Sequence, residues 1–383
     1  ISKDSKKITY LPYDKFKTKI SNLGNLSLFS INLFFNPLSV KDMKTSLFNY
    51  ELPQHLIAQQ PLKKRDSSRM LVIDRANNTI KHSKISKIQD FLKPNDCLVF
   101  NNTKVIPARL FGTKNTGGKV EILLLEEKKG DIWRALLKSS RRPIIGSHIE
   151  LCEGEVKAEI ISHGLRGEVL IHIDSKKPFL QLIKTHGVPP LPPYIHRKEK
   201  EDYLNDKDRY QTVYASKPGS AAAPTAGLHF TSKLIEKLKK NNINSCEITL
   251  HVGLGTFRPV TSENINDHNM HGEYYNINQE TSEILNNTKS QNGRIVAIGS
   301  TSVRTLESLP ELKASSGITD IFIHPPYDFK YTDCILTNFH LPQSTLLMMM
   351  AAFSSREIIL QAYHEAINHN YRFFSYGDCM LIL

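Results

Sequence analysis

Residues 293–308 read "GRIVAIGSTSVRTLES": a short apolar run, a Gly-Ser-Thr-Ser turn and a helix. An uninterrupted apolar run fits a strand covered on both faces, as in a parallel sheet. The turn brings hydroxyls and helix N–H groups to a strand's carboxyl end, where open α/β sheets bind ligands. An ordinary cap by Ser300 or Thr301 would use the same residues.

The same alternation extends outward. "KLIEKLKK" reads as a helix, "SCEITLHVG" as a strand and "TSEILNNTKS" as a helix; after the central unit, "DIFIH" and "CILTNFH" read as strands and "STLLMMMAAF" as a helix. The last helix, "SREIILQAYHEAINH", places Ile359, Ala362, Tyr363, Ala366 and Ile367 on one face, with Ser354 and Glu357 spaced for a capping box. Near the start, "LFNYELPQHL" is helix-like, and apolar runs flank a turn at Asn77-Asn78. Between these regions the period changes. "KVEILLL", "DIWRALLK", "SHIEL", "VKAEII" and "GEVLIHI" are short strands parted by Gly and charged turns, the pattern of a small barrel or sandwich. It closes at the stiff "GVPPLPPYIHR". The fold expected is α/β: a large α/β domain over 43–105 and 190–383, interrupted by a small inserted β domain over 106–189.

The chain has 383 residues, a formal charge of +12 and 19 each of Gly and Pro. The first 42 residues hold seven Lys and three Asp and lack a clear period; we expect them outside the fold, with Met43 as the start. The rest keeps a net +8, which favours a polyanionic partner. The five cysteines are dispersed, without C-x-x-C or a Cys/His cluster, so a reducing compartment and no metal site are expected. The longest apolar run, Ser344 to Phe353, is about half of the ~20 residues a membrane span needs.

Several segments could carry chemistry. "PGSAAAPTAGLHFT", Pro218 to Thr231, packs small residues into a loop before a helix, suiting close approach to a ligand or to another stretch of backbone. His229 adds a group that exchanges protons near neutrality. "HVGLGTFRPV" lacks the third glycine of a dinucleotide motif, yet its Arg258 could grip a carboxylate. "LTNFHLPQSTLL" sets Asn338 and His340 before a helix, and "HNMHGEYY" offers His268, His271 and Glu273 with no evident third metal ligand. "YRFFSYGDCMLIL" holds Asp378 in a turn.

The ordered series "LFNYELPQHLIAQQPLKKRDSSRMLVIDR", "NNTKVIPARLFG", "GGKVEILLLE", "GVPPLPPYI", "DRYQTVYASKPGSAAAPTAGLHFT", "HVGLGTFRPV", "GSTSVRTLES", "TDIFIHPPY", "TNFHLPQSTLLM" and "YRFFSYGDCMLI" resembles the S-adenosylmethionine:tRNA ribosyltransferase-isomerase family of queuosine biosynthesis, from about Met43 to the C-terminus. The resemblance implies an α/β domain interrupted by a β-barrel. It further implies transfer and isomerisation of the ribosyl group of S-adenosylmethionine onto 7-aminomethyl-7-deazaguanine at the wobble position of tRNAs for Asp, Asn, His and Tyr. Epoxyqueuosine is formed, and adenine and methionine leave. S-adenosylmethionine is then a consumed substrate, no cofactor is expected, and the protein is expected to be cytoplasmic and monomeric. Asn102 stands where the family usually has Asp, and Pro326 where it usually has Gly.

Family chemistry starts with loss of a C5′ proton next to the sulfonium, which calls for a base, a proton for the departing adenine and polar groups for the opened sugar. His229, Glu273, His340 and Asp378 are the proton-handling candidates. Arg258 and Arg304 could hold the methionine carboxylate or organise the acids. Thr225, Gly227, Ser300 and Asn338 could line the nucleoside. For tRNA, Lys104, Arg109, Arg142, Arg197 and Arg209 could meet phosphate, with Tyr194, Tyr214 and Phe230 as stacking platforms. Two alternatives remain at this stage: a family member that binds RNA without catalysis, and an enzyme acting on the free base.

Overall fold

The computed structural model describes residues 43–197, 200–253 and 260–383. The first strands are β1 (Arg69–Asp74), β2 (Thr79–Lys84), β3 (Cys97–Asn101) and β4 (Thr103–Val105). β5 (Arg109–Lys114), β6 (Lys119–Glu127), β7 (Ile132–Ser139), β8 (His148–Leu151), β9 (Val156–His163) and β10 (Glu168–Ser175) follow. After α1 (Phe179–His186) and α2 (Leu204–Arg209) come β11 (Lys217–Ser220), α3 (Ser232–Lys240), β12 (Asn244–Leu250), β13 (Glu273–Ile277), α4 (Gln279–Ser290) and β14 (Ile295–Ile298). The chain closes with α5 (Ser300–Glu307), β15 (Ser315–Thr319), β16 (Cys334–Asn338), α6 (Thr345–Phe353), α7 (Arg356–Asn368) and β17 (Cys379–Ile382).

The large sheet has nine strands in the order β15-β13-β12-β3-β14-β16-β17-β1-β2. Its centre, β12-β3-β14-β16, is parallel, and β14 is buried at every residue, as its apolar run requires. The edges are antiparallel: β13 and β15 on one side, and the β1–β2 hairpin on the other. At that hairpin Asp74 Oδ1 accepts the N–H groups of Ala76 and Asn77, both at 3.1 Å, and Asn78 has φ 51°. An Asx turn of this kind is why the Asn-Asn step reverses the chain.

β5 to β10 close into a barrel, ordered β10-β7-β6-β5-β8-β9. Alternate residues point inward: Val120, Ile122 and Leu124 from β6, Val156, Ala158 and Ile160 from β9, and Val169, Ile171 and Ile173 from β10. This period of two separates a wet face from a dry one, and closure leaves no strand edge. Phe179, Leu182 and Ile183 of α1 join this core. The chain enters and leaves beside itself, because Arg109 and Val188 exchange backbone hydrogen bonds of 3.2 and 2.9 Å.

Some expectations change. "DIFIH" is not a strand; β15 is the preceding Ser315–Thr319, paired with β13. Lying at the edge, with Ile318 68% exposed, β15 lacks the apolar run that marks a buried strand. "LFNYELPQHL" forms two 3₁₀ turns, Thr45–Phe48 and Gln54–Leu56, with Pro53 flanking the second. The cap of α7 is Ser355, whose hydroxyl accepts from Ile358 N at 3.2 Å, and not Ser354. Among the described residues, no helix is long and apolar enough to cross a membrane.

Candidate active site

A cleft opens at the carboxyl ends of β14 and β16. Thr225 and its neighbours Ala223, Pro224 and Ala226 form one wall, Ser300 and Thr301 another, and Asn338 and His340 a third. Tyr194, Phe374 and Ser375 close it, with the Tyr194 hydroxyl 2.7 Å from Ser375 Oγ. The stretch of small residues faces both kinds of neighbour at once. Ala226 lies beside Gly299, at whose Cα an added Cβ would sit 3.5 Å from the Ala226 methyl group, while Thr225 borders open space.

Gly299, at φ 89°, turns the chain from β14 into α5 without a side-chain cap. The alternative of a cap by Ser300 or Thr301 is thereby set aside: both lie inside the helix and border the cleft. Two buried polar atoms on the walls, Thr301 Oγ1 and Asn338 Oδ1, have no hydrogen-bond partner in the protein. The Asn338 amide is oriented by donating from Nδ2 to the Phe374 carbonyl at 2.9 Å. An orphaned buried polar atom costs about 1–3 kcal/mol, so Thr301 Oγ1 gains when a hydrogen-bond partner reaches it, whereas the Asn338 amide also acts on the neighbouring His229.

His229 stands in an adjoining pocket that shares Ser375 with the cleft and is also lined by Ser68, Arg65 and Arg209. Its Nδ1 is 2.9 Å from Ser68 Oγ, and its buried Nε2 makes no well-formed hydrogen bond, although the Asn338 side chain lies close enough to act on the ring. Burial lowers its pKa to about 4, against opposing pulls from the Asp378 charge and the Asn338 amide. Burial likewise lowers His340 to about 3; its Nε2 is 2.9 Å from Thr337 Oγ1, and its backbone N–H donates to the Tyr363 hydroxyl. Both imidazoles are therefore neutral at pH 7, able to accept a hydrogen bond or a proton at one nitrogen.

The remaining candidates fall elsewhere. Glu273 pairs with Arg304 in the interior, and its other oxygen accepts from Gly253 N at 2.9 Å. This joins β13 to α5 and anchors the start of the loop after β12. Arg258 lies outside the described residues. Asp378 is held by the backbone N–H groups of Arg69 and Arg372, both at 2.9 Å, and by the Arg69 guanidinium, so it acts as a buried brace. Gly227 faces protein: a Cβ there would lie 2.0 Å from the Tyr214 hydroxyl. His268 and His271 sit on irregular chain ahead of β13, not on a helix.

Of the basic residues, Arg197 is inside, bidentate to Asp206 at 2.7 and 3.1 Å with its side chain 2% exposed. Arg109 pairs with Glu121, and Arg209 donates to the carbonyls of Leu62 and Lys63. Lys104 and Arg142 are exposed. Arg142 also donates to the Glu168 carbonyl at 2.9 Å. Phe230 is fully buried against Phe100, and Tyr214 packs on the same ring. Two residues escaped the sequence reading: Ser68, which orients His229 from a site 161 positions away, and Ser375, which links the two pockets. Each sits in a motif already quoted, but a lone serine carries no signal of its role.

An α/β protein with an inserted barrel, and with a largely apolar cleft carrying a few hydroxyl and amide groups at the ends of its parallel strands, has the architecture of an enzyme with a small-molecule site. The chain belongs to the queuosine biosynthesis protein family, whose profile matches residues 45–382. It is similar to the solved structure of S-adenosylmethionine tRNA ribosyltransferase from Thermotoga maritima. The two are 36% identical with a TM-score of 0.51, over 88% of this chain and 100% of that one.

Proposed function

We propose that this protein is an S-adenosylmethionine:tRNA ribosyltransferase-isomerase. It moves the ribosyl group of S-adenosylmethionine onto 7-aminomethyl-7-deazaguanine at the wobble position of tRNAs for Asp, Asn, His and Tyr, forming epoxyqueuosine and releasing adenine and methionine. The observation that carries this reading is the cleft at the carboxyl ends of β14 and β16, where Thr225, Ser300, Thr301 and Asn338 bring hydroxyl and amide groups together and Thr301 Oγ1 has no hydrogen-bond partner in the protein. Membership of the queuosine biosynthesis family and the likeness to the Thermotoga maritima enzyme support it. The same reading makes S-adenosylmethionine a consumed substrate, with no further cofactor, in a cytoplasmic monomer.

In this account Thr225, Ser300, Thr301 and Asn338 hold the nucleoside. His229 Nε2 is the group placed to take or return a proton, since Ser68 occupies its other nitrogen. A histidine lowered to about 4 is a weak base in the free protein; its fitness lies in being uncharged beside a sulfonium, which a second cation would repel. His340 lines the cleft as a neutral hydrogen-bonding group. Arg304 and Glu273 hold the chain at Gly253, just after β12. Exposed Lys104 and Arg142 are the cations available to tRNA phosphate.

Incubating the full chain with S-adenosylmethionine and tRNA bearing the aminomethyl-deazaguanine tests this. Free adenine together with a ribosyl-derived mass gain in the tRNA nucleoside is the expected result. RNA binding without adenine would favour a non-catalytic family member, and turnover of the free base an enzyme indifferent to tRNA.

A further inference from the structure

A second constellation lies away from the cleft, where the β1–β2 hairpin meets α7. His82 lies on the edge strand β2, and Glu365 on the last turn of α7 stands four residues before His369, which ends that helix, a spacing that brings the two side chains to one side. Glu365 Oε1 is 3.1 Å from His82 Nε2 and 3.2 Å from His369 Nδ1. The two imidazole centroids are 4.5 Å apart, and one donor atom from each of the three residues falls within 4.8 Å of the others. None of the three lines the cleft.

These separations approach the edge of a coordination tetrahedron, roughly 3.3 Å for metal–ligand bonds of about 2.0–2.1 Å. Two imidazole nitrogens and one carboxylate oxygen form a donor set suited to zinc and its neighbours among the transition metals, and unsuited to magnesium or calcium, which take oxygen ligands. A further feature fits ligation. His82 Nδ1 lies 2.8 Å from the Tyr371 hydroxyl, the kind of partner that fixes a ligating imidazole's tautomer and ring plane and leaves Nε2 facing the metal. Arg69, which lies over the Tyr371 ring, is paired with Asp378. His369 Nδ1 is also 3.0 Å from the Glu365 carbonyl, the contact a metal at this nitrogen would replace.

We propose that His82, Glu365 and His369 form a zinc-type divalent metal site that staples the sheet's edge hairpin to α7. All three side chains are partly exposed, at 41%, 36% and 53%, so an ion reaches them from solvent and water completes the coordination. The sequence shows no such site, because the Glu-x-x-x-His pair and its third ligand are 283 positions apart.

The test uses the full chain, stripped with a chelator and titrated with Zn²⁺ by calorimetry while thermal unfolding is followed. One equivalent should bind and raise Tm, and Mg²⁺ should not. His82→Ala and His369→Ala should each weaken binding tenfold or more, and Tyr371→Phe, which removes only the positioning hydroxyl, should weaken it about ten- to hundredfold. His82→Ala/Glu365→Gln should unfold like the metal-free wild type and show no Zn²⁺-dependent rise. Equal binding by wild type and double variant, or no saturable binding to the wild type, would overturn the proposal.

Discussion

The Glu273 carboxylate on β13 and the Arg304 guanidinium on α5 meet in the interior, 4% and 3% exposed, and the other carboxylate oxygen holds Gly253 N. The pair ties the sheet's antiparallel side to the helix whose first turn borders the cleft. Removing one partner leaves the other's charge buried. Arg304→Met should therefore destabilise the protein by about 3–5 kcal/mol in urea unfolding, and Arg304→Met with Glu273→Gln should recover much of that loss. Additive losses would show that the two side chains act independently.

Replacing His229 should separate chemistry from folding. His229→Gln keeps the volume and a hydrogen bond to Ser68 but cannot exchange a proton. Adenine release should fall about 10²- to 10⁴-fold with little change in S-adenosylmethionine binding. Unchanged turnover would remove His229 from the proton path.

The neutral histidines also set a pH dependence. Folding lowers His229 to about 4 and His340 to about 3, from an ordinary value near 6.5. Below 6.5 the unfolded chain therefore binds protons that the folded chain refuses, and stability falls with falling pH until the folded values are reached. Each group contributes a slope of up to about 1.4 kcal/mol per pH unit within its window. Urea midpoints between pH 7 and 4 should decline, and His229→Gln should flatten the decline; an unaltered profile would contradict the burial argument.

Asn102 explains its own departure from the family's usual Asp. Its Nδ2 donates to Glu247 at 2.9 Å, and its Oδ1 accepts from the Thr249 hydroxyl at 2.7 Å. An Asp would lose the donor and face a carboxylate. Asn102→Asp should cost about 1–3 kcal/mol at pH 7 and less near pH 4, and Asn102→Asp with Glu247→Gln should restore stability. Pro326, the other departure, follows a cis Pro325-Pro326 peptide, and nothing else in the structure explains it.

Much of the architecture was legible from periodicity. The strand–turn–helix at 293–308 and the barrel strands declared themselves because apolar residues repeat with the period of the face they bury. The edge strand β15 did not, since a strand half in water has no apolar run to show. The site was legible only in parts. Thr225, Ser300, Asn338 and His340 meet around one cleft, whereas Asp378, Arg197 and Arg209 are occupied by partners within the protein. Whether an arginine faces solvent or a buried aspartate depends on tertiary contacts that local sequence does not encode.

The central claim is that the cleft between β14 and β16 holds the adenosyl group of S-adenosylmethionine. A crystal structure with S-adenosylmethionine bound tests it most directly. The account predicts the nucleoside within hydrogen-bonding distance of Thr301 Oγ1 and Asn338 Oδ1, with its sugar toward His229. A nucleoside seated elsewhere, such as the groove lined by Phe111, Lys138 and Tyr203, with those two atoms still unpaired, would contradict it.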